Sequence, residues 1–225
     1  MTETGKHTGG SREKRIGTLT LLNVALRSLC IQSIFTLQEK LGTGFAFTLL
    51  PGLKRIAADR DEFVDLLRRH SGYFNVHPYL VSFVAGAVLK IESAALPAEE
   101  KARQIDTLKS RLAGMLGSLG DRLFWKYLKP AASVLSLIAL FALESYHPWN
   151  AVAAVGVFLV TFNSLHLYYR VYGLIRSYRE GGNVIRIKSL LRIERINYAL
   201  MCLILFMLGV LMIQYMAAAS GGDVR

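Results

Sequence analysis

Three stretches of the chain are apolar on nearly every face for close to the length that hydrocarbon demands. They are 131–146 (AASVLSLIALFALESY), 151–169 (AVAAVGVFLVTFNSLHLYY) and 197–216 (NYALMCLILFMLGVLMIQYM). A bilayer core needs about 20 mostly apolar residues in a helix. An amphipathic helix of a soluble protein keeps a polar face instead. The pattern therefore predicts an all-α polytopic membrane protein with about three C-terminal transmembrane helices.

The N-terminal half has a different rhythm. Residues 1–15 are polar and basic and read as a disordered arm. Residues 16–40 read as a helix that is only half apolar, with Asn23 and Arg27 on one face. The apolar run after Gly42 and Gly44 ends at Pro51-Gly52, and the run 79–89 is equally short. Runs of that length are re-entrant, interfacial or buried against other helices. Between them, 59–70 is highly charged and reads as a solvated face. Pro97 followed by Ala-Glu-Glu starts a polar amphipathic helix over 93–111, because acids favour the positive end of the helix dipole. The expected organisation is a basic arm (1–15), an amphipathic and re-entrant helical region (16–130), a transmembrane region (131–219) and a tail (220–225).

Charge sets an orientation. The 225 residues carry a net charge of +11. It is concentrated in segments flanking the apolar runs, which is the positive-inside pattern rather than a nucleic-acid surface. Segment 170–195 holds Arg170, Arg176, Arg179, Arg186, Lys188, Arg192 and Arg195, while the loop HPWN before the second span holds no Lys or Arg. The spans are expected to run inside to outside, back in, and out again, with the N-terminus cytoplasmic. Tyr146, Trp149, Tyr168, Tyr169 and Tyr215 fall near span ends, where aromatic belts form. Cys30 and Cys202 each lie in an apolar stretch and read as small buried thiols. Asn23 and Arg27 interrupt any signal-peptide core near the N-terminus.

Polar residues inside or beside these runs are the candidate site. Asp121, in GSLGDRLFWKYLKP, reads either as a helix cap after Gly120 or as a carboxylate that accepts sugar hydroxyls or pairs with a base. Gly114, Gly117 and Gly120 suggest a close-packed turn into the first span. Pro78 pushes His77 out of the helical region, so Asn75 and His77 sit at a break. That break is either a plain turn or a place where short polar side chains bind a solute. Gln32, Thr36 and Gln38 are neutral hydrogen-bonders that suit either a carbohydrate or core packing. His70 and His77 lack a third ligand at metal-binding spacing. No phosphate-binding loop, nucleophile elbow or poised phosphoryl acceptor occurs, which disfavours an enzyme. Neither metal nor cofactor is expected.

Four ordered segments resemble one family, the membrane component IID of mannose/fructose/sorbose phosphotransferase systems. They are LRSLCIQSIF, GFAFTLLPGLKRI, RRHSGYFNVHPYLVSFVAGAVLKIE and LAGMLGSLGDRLFWKYLKP. Gln32 matches the family glutamine. Asn75, His77 and Pro78 match its Asn-x-His-Pro, and Gly120, Asp121, Phe124, Trp125 and Pro130 match its Gly-Asp motif. Thr36 and Gln38 stand where the family has Asn and Glu, and Gly114-Met115 where it has Gly-Pro. The chain also ends earlier than typical members. The resemblance implies a bacterial cytoplasmic-membrane subunit that is not itself phosphorylated. It implies a hetero-oligomer with IIC, a hexose-like sugar as substrate, and phosphocarriers IIB and, behind it, IIA. Gln32, Thr36, Gln38, Asn75, His77 and Asp121 would then serve the sugar, among membrane lipids and without nucleic acid. The departures leave a second expectation open: a non-transporting relative used for regulation or as an interaction platform.

Overall fold

The computed structural model describes residues 14–143, 146–186 and 188–220; most of the expected N-terminal arm and the end of the tail lie outside them. Among the described residues the chain is helical apart from its connections and two isolated bridges, Thr36 with Lys40 and Lys40 with Phe74. The helices are α1 (Thr18–Arg27), α2 (Gly42–Ile56), α3 (Arg60–Ser71), α4 (Val81–Ser93), α5 (Ala98–Gly120), α6 (Lys129–Ala142), α7 (Trp149–Glu180) and α8 (Lys188–Ser220). Residues Asp121–Leu128 between α5 and α6 form a π-helix. The chain divides into two compact units, Met1–Gly114 with Arg170–Ile185, and Met115–Tyr169 with Arg186–Arg225.

The first unit is built around α4. Its sequence, VSFVAGAVLKIES, is apolar on almost every face, and every residue but Lys90 is buried. The run too short to cross a membrane is thus the centre of a packed core. Helix α2 packs on α1, α3 and α4. Close approach is licensed by small residues: a Cβ on Gly86 would collide with the Leu174 carbonyl and Ser177 Oγ of α7. Helix α3 begins with a capping box, Asp59 Oδ1 accepting from Glu62 N–H at 2.8 Å and Glu62 Oε2 from Ala58 N–H at 2.6 Å. The face of α3 bearing Leu66 and His70 is buried, so only part of the charged segment is solvated.

The second unit holds the long apolar helices. Helix runs without interruption from Ala98 to Ala142, and three helices are long and apolar enough to cross a membrane: Ala98–Ala142, Trp149–Asn183 and Arg195–Ile213. Their apolar side chains face outward. Phe141, Leu159, Val160, Leu205 and Phe206 are all exposed. The protein is an integral membrane protein of the expected all-α class.

The structure corrects four expectations. Residues 16–40 are not one helix: α1 ends at Arg27, a short 3-10 turn covers Ser28–Cys30, and an irregular loop follows. Segment 170–195 is not a loop at its start, because α7 continues to Glu180. Cys30 and Cys202 are exposed rather than buried. No turn forms at Gly114, Gly117 or Gly120, and the helix passes through all three. A Cβ on Gly114 or Gly117 would meet open space, so neither marks a tight contact. The break is replaced by the π-helix, which closes with Lys129 N–H donating to the Phe124 carbonyl, five residues back. A wider turn immediately before Pro130 absorbs the hydrogen bond that proline cannot make.

Candidate functional site

Two irregular loops carry most of the expected site residues, and the backbone ties them together. The first is the stretch between α1 and α2. It folds back on itself, Lys40 N–H donating to the Thr36 carbonyl at 2.9 Å, with Lys40 at φ 55°. The second links α3 to α4. Leu41 N–H donates to the Phe74 carbonyl at 2.9 Å, and Phe74 N–H to the Glu39 carbonyl at 3.2 Å. Gln32, Thr36 and Gln38 therefore share a loop that is joined to the one bearing Asn75 and His77. Gln32, Thr36, Gln38 and Asn75 are exposed, whereas His77 is buried. Thr36 Oγ1 accepts from Glu39 N–H at 3.0 Å, so it helps to close its own turn. His77 Nδ1 accepts from Tyr79 N–H at 3.3 Å, and the two rings meet edge to face. Pro78 sits at the helix break the sequence implied.

A buried cation, missed by sequence reasoning, completes this cluster. Arg170 on α7 is 3% exposed. Its guanidinium donates to the Ser28 carbonyl and, at 2.8 Å, to Ser28 Oγ, and lies over the Tyr79 ring at 5.6 Å. Arg170 thereby joins the end of α1, Tyr79 and, through Tyr79, His77. In the sequence it looked like the first charge of a basic loop.

Below the second loop lies a buried charged network. Glu92 of α4 accepts from Arg69 Nη1 at 2.9 Å and faces His70 Nε2 at 3.0 Å. Both His70 and Glu92 lie on helices too short to cross a membrane. Burial acts most strongly on Glu92 and in the upward direction, yet the His70 hydrogen bond and the Arg69 charge and hydrogen bond hold its carboxyl below the usual range. Burial pushes His70 below its ordinary value, with Lys109 and Arg69 adding to this against the Glu92 hydrogen bond. His70 Nδ1 has no hydrogen-bond partner among the described residues, which fits a neutral ring donating through Nε2. The Lys109 ammonium lies 5.2 Å from the Phe45 ring and 5.8 Å from the Phe74 ring, and those two rings are 4.5 Å apart. The network thus braces Phe74, and with it the loop of Asn75 and His77.

Asp121 belongs to the second unit. It is exposed and opens the π-helix. Phe124 is buried in the same π turn, and Trp125 is exposed with its ring 6.4 Å from Phe162. Among the described residues no three His, Cys, Asp or Glu side chains converge as metal ligands.

The chain matches the family model described as the PTS system mannose/fructose/sorbose family IID component over residues 15–221. It is 27% identical to the mannose-specific EIID component of Escherichia coli strain CFT073 over 83% of this chain and 63% of that protein. It is 28% identical to the sorbose-specific EIID component of Klebsiella pneumoniae, covering 90% of this chain and 72% of the relative. The fructose permease IID component of Bacillus subtilis is 25% identical, with coverages of 89% and 70%. The chain thus spans only 63% to 72% of the length of these relatives. Among solved structures, a chain of the mannose transporter ManYZ in complex with microcin E492 superposes with a TM-score of 0.66 at 25% identity, over 88% of this chain and 71% of that one. A second membrane protein superposes with a TM-score of 0.74 at 22% identity, again over 88% of this chain and 71% of that one.

Proposed function

We propose, from the premise that the chain belongs to the mannose/fructose/sorbose family of PTS IID components, that it forms half of a sugar permease. With a IIC partner it makes the membrane pathway for a hexose-like sugar, which phospho-IIB, charged in turn by IIA, phosphorylates on arrival. The chain itself carries no phosphate and performs no bond chemistry. It lies in the bacterial cytoplasmic membrane with its N-terminus in the cytoplasm.

The observation that carries this reading is Arg170, buried and held on Ser28 over Tyr79 beside His77. A buried cation is costly unless it is hydrogen-bonded, and such groups gather at sites that hold a ligand. The two joined loops offer what sugar hydroxyls need: the amides of Gln32, Gln38 and Asn75, the hydroxyl of Thr36, and imidazole at His77. Asp121, on the second unit, is a carboxylate that can accept sugar hydroxyls in its own right. Thr36 and Gln38 keep hydrogen-bonding capacity without charge, which suits a neutral sugar.

The test is phosphoenolpyruvate-dependent sugar uptake by the chain co-expressed with IIA, IIB and IIC. Arg170→Leu and His77→Phe are expected to reduce uptake at least tenfold while IIC still co-purifies. Full uptake in both variants would sink the assignment of this cluster, and failure to co-purify with any IIC would sink the subunit role. Orientation is tested separately with cysteines at His147 and Gly182, both exposed, in a background lacking Cys30 and Cys202. The two are expected to label from opposite sides, with Gly182→Cys reacting from the cytoplasm.

A further inference from the structure

Helix α1 has two apolar faces, and the first unit uses only one of them. Leu21, Val24 and Ala25 are buried. Leu19, at 83% exposed, and Leu26, at 67%, stand outside, together with Leu22 and, in the turn that follows, Leu29. Helical spacing puts Leu19, Leu22 and Leu26 within an arc of about 60°, opposite Val24. The outer stripe is thus a second face in its own right. At 10 residues α1 is too short to cross a bilayer, which takes about 20. Whatever meets this stripe meets it side-on.

Composition and charge name the occupant. Where this unit brings helix against helix most closely it uses small residues: a Cβ on Gly86 of α4 would strike the Leu174 carbonyl and Ser177 Oγ of α7. The outer stripe of α1 holds leucine alone and offers no such seat for a partner helix. Its charge has one sign. From Lys14 to Gln38 the chain carries Lys14, Arg15 and Arg27 and neither Asp nor Glu. Arg15 is exposed just ahead of the helix. Arg27 closes it, with its guanidinium 4.6 Å from the centre of the Phe47 ring and its Nε donating to Asn23 Oδ1 at 3.1 Å. A leucine face with a cation at each end matches a lipid surface: the leucines suit acyl chains, and the arginines reach anionic phosphates on long apolar stems.

We propose that the outer face of α1 lies in the surface of a bilayer rich in anionic lipid. Leu19, Leu22, Leu26 and Leu29 sit among the upper acyl carbons, and Arg15 and Arg27 take headgroup phosphates at the two ends. The buried face of the same helix holds the first unit, so α1 moors that unit to the membrane surface.

The test places one nitroxide at a time on the full chain, at Leu19→Cys, Leu22→Cys or Leu26→Cys, in a background with Cys30→Ser and Cys202→Ser. The labelled chain is reconstituted, alone and with IIC, in vesicles of phosphatidylglycerol mixed with phosphatidylcholine. Relaxation by oxygen reports lipid, and relaxation by a soluble nickel chelate reports water. All three labels are expected to relax faster with oxygen than with nickel, with or without IIC. Replacing phosphatidylglycerol by phosphatidylcholine, or adding Arg15→Gln, should lower the ratio of inserted to water-exposed label about fivefold or more, the worth of about one cation at an anionic surface. All four leucine and arginine positions changed here are exposed, so the variants leave the packed face of α1 intact. Faster relaxation by nickel at the stripe would overturn the proposal. Exclusion of both reagents would overturn it as well, assigning the face to a second copy if it occurs in the chain alone and to IIC if it occurs only in the complex. Insertion indifferent to both phosphatidylglycerol and Arg15→Gln would overturn the role of anionic lipid.

Discussion

Leu89 in the first unit and Leu205 in the second are the same residue on comparably apolar helices. Leu89 is fully buried, whereas Leu205 is 63% exposed. The contrast extends to their neighbours. In the first unit even charged groups are inside: Glu92, His70 and Arg170 are all buried and hydrogen-bonded. In the second unit large apolar side chains such as Phe206 and Ile213 lie outside. The first unit packs its apolar side chains against one another, so burial of apolar area holds it together. The second obeys the rules of a protein made for lipid, where an outward leucine costs nothing and only backbone groups must be satisfied internally. One polypeptide therefore needs two different accounts of its stability.

That comparison can be broken, most severely at the buried network. Glu92→Ala strands Arg69 and His70 and is expected to cost about 3–5 kcal/mol, read as faster hydrogen exchange across α3 and α4 of the detergent-solubilised chain. A cost below about 1 kcal/mol would show that the network does not hold the first unit together. Next come matched truncations. Leu89→Ala is expected to cost about 2–5 kcal/mol by leaving a cavity. Leu205→Ala should cost well under about 1 kcal/mol, because detergent or lipid fills the space. Similar costs at both positions would abolish the distinction between the units.

Acid should act on the first unit more gently. The folded values of His70 and Glu92 both lie below their ordinary ones. For each group the unfolded chain binds protons first as pH falls, so each contributes stability at high pH and loses it on acidification. The loss begins near pH 6.5, the ordinary value for His70, and continues through the usual carboxylate range as Glu92 joins. Exchange protection of α3 measured from pH 7.5 downward should fall accordingly, and His70→Phe should remove the first part of that fall. Protection that rises on acidification would reverse the assigned directions.

The smallest effect is expected at Asp121. The residue is exposed and opens the π-helix, whose N-cap is Gly120. Asp121→Asn and Asp121→Ala should both change stability by no more than about 0.5 kcal/mol. Loss of uptake in these folded variants would then report on the solute alone. Unfolding of Asp121→Ala would return the residue to a structural role.

Much of the architecture was legible in the chain. The spans could be read because hydrocarbon imposes a length and a composition on every helix that crosses it. Pro78 marked the break at His77 because its ring acts locally on the residue before it. The start of α5 at Ala98 followed from Pro97 and two acids for the same local reason. The glycine-spaced stretch 114–120 misled, since glycine permits a turn without requiring one, and a continuous helix with one wide turn before Pro130 satisfied the backbone instead. Arg170 misled in the opposite sense. Nothing local separates it from Arg176 or Arg179, and only its contact with Ser28, 142 positions earlier, makes it part of a buried cluster.

By itself, then, the sequence determined which segments are long and apolar enough to cross a bilayer, the break at His77 and the start of α5, and which family the chain resembles, because these depend on neighbours along the chain. Tertiary structure alone decided that the short apolar run of α4 is buried among the other helices of its unit and that Glu92 and His70 face each other. It alone joined the loops of Gln32 and His77. Each of these is a contact between segments far apart in the chain. Its free energy depends on burial and hydrogen-bond geometry that no local pattern encodes.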